Sequence, residues 1–111
     1  MSLRKPRRLS ARPEDGQLDV LQYEVMQEKA AVLARLGRRL QTALDALAAF
    51  DASGGAGAAG ERDALVGAAG EALWYYVVQR EVLGLRDTEF VMRELQVPRE
   101  VRLRMGLNRP R

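Results

Sequence analysis

The residues best placed to do chemistry gather around one bend. In the run QREVLGLRD, Arg80, Glu81, Arg86 and Asp87 flank Gly84 within eight positions. Two roles suit such a group. The four could hold a polar ligand at the opening of a following helix, whose free N–H groups attract anions. Or they could form a salt-bridge network tying one helix to the next. Arg80 lies on an otherwise apolar stripe and calls for a carboxylate partner if it is buried. Beyond this cluster the chemistry is narrow, because the 111 residues include no His and no Cys. Thiolate nucleophiles, disulfides, Cys-type zinc sites and His general bases are therefore unavailable. Catalysis would fall to carboxylates, Lys29 or tyrosines, and no constellation of these stands behind it. The sequence assigns no catalytic, cofactor or metal residue and leans away from an enzyme.

The second chemistry on offer is phosphate binding. Residues 1–13 carry Arg4, Lys5, Arg7, Arg8 and Arg12 without an acid, and residues 99–111 carry five arginines against Glu100. Such Arg-rich ends neutralise phosphates and bind nucleic acid without reading its sequence. Neither end interleaves an aromatic residue on which a base could stack. The body between them is acidic, with eight bases and fourteen acids over residues 14–98.

The elements that position these groups are helical. Residues 1–17, with Pro6, Pro13 and Gly16 among charges, read as a basic flexible arm. A single helical domain is expected over 18–106, followed by a basic tail at 107–111. Asp19 suits an N-cap, with Gln22 three residues on. Leu21, Val25, Val32, Leu36, Leu40, Leu44 and Leu47 then recur at threes and fours, which predicts an amphipathic helix over about 20–51. The Gly/Ala-rich loop SGGAGAAG at 53–60 ends it. A second helix is expected over about 61–83, closed by Gly84, with short helices over about 88–95 and 98–105. The fold class is all-α: a long antiparallel hairpin closed by two short helices. In that hairpin Gly37 falls level with Tyr75, where a missing side chain would admit an aromatic ring. The first helix overhangs the second, and the short helices are expected to fold back over the uncovered Leu21, Val25 and Met26.

The run LWYYVVQRE at 73–81 has no polar side for nearly two turns. Leu73, Tyr76 and Val77 form one stripe, and Trp74, Val78 and Val82 a second, about 100° away. One hairpin partner covers one stripe. The other must meet the short helices or a second subunit, so Trp74, Val78 and Val82 are the candidate self-association surface. Gly67 and Gly70 permit close helix approach, either within the hairpin or across a two-fold axis.

The segment FVMRELQVPREVRLRMG has the outline of a helix-turn-helix. With Gln96 at the turn, however, Arg102 occupies the position that must be apolar to seat a recognition helix. The runs WYYVVQREVLGLRDTE (74–89) and VPREVRLRMG (97–106) resemble an uncharacterised family of short all-helical bacterial proteins, over most of Leu18 to Gly106. The resemblance implies an all-helical bacterial protein of the cytoplasm and carries over no activity, cofactor or site residue. The basic N-terminus lacks the apolar stretch of a secretory signal, and no apolar run approaches the roughly 20 residues needed to span a bilayer. The sequence thus reads as a non-enzymatic interaction protein that forms a homodimer. Nucleic-acid association through the Arg-rich ends is the alternative.

Overall fold

The computed structural model of the chain describes residues 13–55 and 57–106. Four α-helices occur in order: α1 Pro13–Ala52, α2 Glu61–Val82, α3 Thr88–Glu94 and α4 Arg99–Arg104. No strand occurs among the described residues. The chain divides into two compact units, Met1–Ala31 and Val32–Arg111.

In the first unit, α1 begins at Pro13 and not near Val20. Residues 13–17, expected to belong to the arm, are its opening turns. Proline fits a first helical position because its missing N–H would have no partner there. The basic arm residues 1–12 and the tail 107–111 lie outside the described residues.

In the second unit, the later part of α1 and all of α2 form the expected hairpin. Leu40, Leu44 and Leu47, spaced by four and three, are buried on α1. Val66, Ala69, Leu73 and Val77 answer them on α2. Arg39 on α1 pairs with Glu71 on α2 at 3.1 Å and lies 5.3 Å from the centre of the Tyr75 ring. Gly37 does face an aromatic, but one position later than expected. A Cβ there would meet Cε1 of Tyr76 at 3.1 Å.

Gly84 ends α2 in the left-handed region, φ 85°. The Gly84 amide donates to the Glu81 carbonyl at 2.9 Å, and the Leu85 amide donates to that of Arg80 at 2.8 Å. This pair of hydrogen bonds satisfies the last free carbonyls of the helix. α3 closes in the same way on a residue less suited to it: Gln96 sits at φ 51°, and the Val97 amide donates to the Met92 carbonyl at 3.0 Å. At its start, Asp87 accepts from the Phe90 amide at 3.0 Å, capping the helix as its position suggested.

α3 and α4 do not cover Leu21, Val25 and Met26, which remain exposed. They bury Val91, Met92 and Val101 in the same core as Leu40, Leu44 and Leu47. The return therefore runs along the hairpin toward its glycine loop. Gly70 explains why that direction is favoured. A Cβ on Gly70 would stand 3.0 Å from the Arg104 Cβ and 3.1 Å from the Arg104 carbonyl carbon. The space left by this glycine is filled by α4 backbone, so the Gly67–Gly70 stretch serves packing within the chain.

The two glycines predict opposite behaviour. Gly70→Ala forces a backbone apart and should destabilise by about 1–2 kcal/mol, overpacking outweighing the gain in helix propensity. Gly37→Ala meets a ring that can shift, and should change stability by no more than about 0.5 kcal/mol. Urea midpoints at unchanged m-value measure both.

Candidate functional site

The most organised polar feature of the protein is a three-way junction at the glycine-loop end. Arg62, in the first turn of α2, forks onto Asp51 at the end of α1, with Nε to Oδ1 at 2.7 Å and Nη2 to Oδ2 at 3.0 Å. The same guanidinium grips Glu100 of α4, with Nη1 to Oε1 at 2.9 Å and Nη2 to Oε2 at 2.6 Å. Both pairs are bidentate, the geometry for which the guanidinium plane is suited. α4 is pinned twice more: Arg104 bonds Asp63 of α2 at 2.9 Å, and Arg102 pairs with Glu89 of α3.

The electrostatics follow from this pairing. Hydrogen bonds from Arg62 hold the carboxyls of Asp51 and Glu100 below the usual carboxylate range. Glu100 first and Asp51 second drive the guanidinium pKa up, beyond any accessible pH. A first-turn arginine faces the positive end of its own helix, which is unfavourable in isolation. Two carboxylates supply the compensation. That misfit of charge and helix end was the signal for Arg62 in the sequence, and sequence reasoning missed it.

The residues singled out around Gly84 are not assembled into a site. Asp87 is the α3 cap, and the carbonyls of Arg80 and Glu81 serve the end of α2. Among the described residues no salt bridge joins Arg80, Glu81, Arg86 and Asp87. Arg80 is half-buried and not fully enclosed, so it stands without the carboxylate that burial would demand.

Trp74 and Val78, two members of the candidate self-association stripe, are half-buried, and Val82 is 56% exposed. The Trp74 ring meets that of Tyr75 edge-on at 5.1 Å between centroids. None of the three stripe residues belongs to the core cluster. The second apolar direction on α2 is filled instead where Gly70 meets α4.

Arg4, Lys5, Arg7, Arg8 and Arg12, the candidate phosphate contacts, fall outside the described residues. Of the α4 arginines, Arg102 and Arg104 are engaged in ion pairs, and Arg99 is exposed. With a carboxylate on both, α4 does not present the free basic face of a recognition helix.

A groove of about 410 Å³ runs beside the junction, lined by α1 residues including Gln41, Leu44 and Asp45, and by Leu95, Gln96 and Pro98. Its two acids are both occupied: Asp45 accepts from Gln41 at 2.9 Å and Asp51 from Arg62. Among the described residues no group of three or more carboxylates could hold a metal ion, and no helix is long and apolar enough to cross a membrane.

Fold and site together define a small all-helical bundle closed by an ion-pair junction. The chain belongs to the family of unknown function DUF6665, whose model matches residues 1–109. No curated protein and no solved structure matches it.

The junction makes an acid-sensitivity prediction. Asp51 and Glu100 have lowered folded-state pKa values, so their contribution is complete above the ordinary carboxylate pKa of about 4 and is lost as pH falls below it. Arg62, shifted up, stays charged at every accessible pH, so only the two carboxyls titrate. Urea midpoints between neutral pH and pH 2 should therefore fall more steeply for the wild type than for Arg62→Met, the curves converging in acid.

Proposed function

We propose that this chain is a non-enzymatic helical interaction protein that self-associates as a homodimer. The observation that supports the reading is uncovered apolar surface. Leu18, Val20, Leu21, Tyr23, Val25 and Met26 lie within nine residues of α1 and are each 50–64% exposed. Scattered apolar residues on a surface are ordinary, but a contiguous run of large ones marks an interaction surface. The polar chemistry points in the same direction. Where carboxylates and guanidinium groups meet, at Arg62, Asp51 and Glu100, they satisfy one another and leave no poised acid, base or nucleophile.

The stripe of Trp74, Val78 and Val82, the surface suggested by the sequence, is a weaker candidate. Two of its three residues are half-buried. Leu85 and Phe90 are also exposed, at 44% and 45%.

Sedimentation equilibrium or light scattering at micromolar concentration should return twice the 12.4 kDa mass of the chain. A strict monomer across that range would remove the proposal.

A further inference from the structure

We infer that α4 is a strap: it lifts from α2 about a hinge at Gln96 while the hairpin and α3 stay folded, and ionic strength sets how far it is closed. Its attachment differs in kind from that of its neighbour. α3 is capped by the Asp87 side chain and sinks both Val91 and Met92 into the core. α4 follows Pro98, which supplies no side-chain cap, and Val101 is the one buried residue among its six. Met105, just beyond, is half-buried. The rest of the attachment is electrostatic. Glu100 pairs with Arg62 and Arg104 with Asp63, both on α2, and Arg102 pairs with Glu89 on α3. All six side chains are partly exposed, so dissolved salt screens all three pairs. The close contact over Gly70 is made by the Cβ and carbonyl of Arg104 and buries no further apolar side chain.

Gln96 supplies the hinge. Among the described residues it is the one non-glycine with a positive φ, a conformation that strains any residue carrying a Cβ. Two hydrogen bonds hold it there, from the Gln96 amide to the Arg93 carbonyl at 3.2 Å and from the Val97 amide to the Met92 carbonyl at 3.0 Å. Rotation of Gln96 out of the left-handed region breaks the second bond and turns the following chain away from α2. The strain it releases offsets part of the loss of Val101 burial. Leu95 stays with α3, because its amide is bonded to the Val91 carbonyl on the near side of the hinge. The open form, a minor population beside the closed one, uncovers the Gly70 side of α2, which is buried when α4 is seated. Access to that side therefore follows salt concentration with the hairpin unchanged.

Amide exchange of the full chain, followed residue by residue by NMR at low salt and at about 1 M NaCl, tests the strap. The amides of Val97, Val101 and Arg102 should share one opening equilibrium, at least about 10-fold more open than that of Leu73. High salt should raise this opening by about a further 10-fold, well beyond any change at Leu73 or Leu95. Arg62→Met and, independently, Glu100→Gln should carry the low-salt opening toward its high-salt value and shrink the salt response. Gln96→Gly relaxes the closed turn and should reduce the opening by about threefold. Amides of α4 that open only together with Leu73, with the same salt dependence, would mean that the helix comes free only in global unfolding and would overturn the inference. So would an early opening that salt and both charge variants leave unchanged. A Val97 amide that exchanges with Leu95 and not with Val101 would remove the hinge at Gln96.

Discussion

The contact on which the bundle depends is the approach of α4 to α2 at Gly70, too close to admit a methyl group. A six-residue helix has no stability of its own, since nucleation costs more than so few hydrogen bonds return. α4 exists because three kinds of interaction converge on it. Val101 is completely buried, backbone packs into the gap over Gly70, and Glu100, Arg102 and Arg104 each find an opposite charge. The ion pairs are partly exposed, and pairs of that kind each contribute little. Their value lies in fixing register. With α4 seated between Arg62 and Gly70, α3 must run back toward the glycine loop, which carries Val91 and Met92 into the core with Leu40, Leu44 and Leu47.

This arrangement also accounts for what was legible in the sequence. Three helix ends were readable from local chemistry: Gly84 after α2, Asp87 before α3 and the glycine loop between the long helices. The start of α1 was not, since Asp19, which suited an N-cap, lies inside a helix that begins at Pro13. The hairpin register was legible to one residue, because antiparallel helices joined by a known loop have little freedom along their axes. It placed Gly37 against Tyr75 where Tyr76 stands. The return path of α3 and α4 was not legible. Their apolar residues would suit Leu21 and Val25 as well as Leu40 and Leu44, and hydrophobic spacing does not encode which of two apolar faces a short helix will meet. Gly70 held the answer, but a small residue in a helix permits close approach without naming what approaches.

The polar residues repeat the lesson. Arg80, Glu81, Arg86 and Asp87 are neighbours in sequence, and proximity along the chain suggested a cluster. On the folded chain, Asp87 turns to its own helix end and the others do not pair with one another. Arg62, Asp51 and Glu100 lie far apart in sequence and converge in space, with nothing but an arginine at the wrong end of a helix to announce them. Gln96 is similar: the turn after α3 demands a left-handed residue, and glutamine occupies it because the bonds from the Gln96 and Val97 amides hold it there.

Function, on this account, rests on a division of labour within one chain. Residues 32–106 satisfy most of their apolar and charged groups among themselves, while residues 18–26 hold apolar side chains that water still reaches. Hydrogen exchange as a function of protein concentration tests this most directly. Amides of residues 18–28 should become protected as concentration rises through the dimerisation range, with the exchange of the α2 and α4 amides nearly constant. Exchange at 18–28 that is fast and independent of concentration, in a protein otherwise folded, would contradict it.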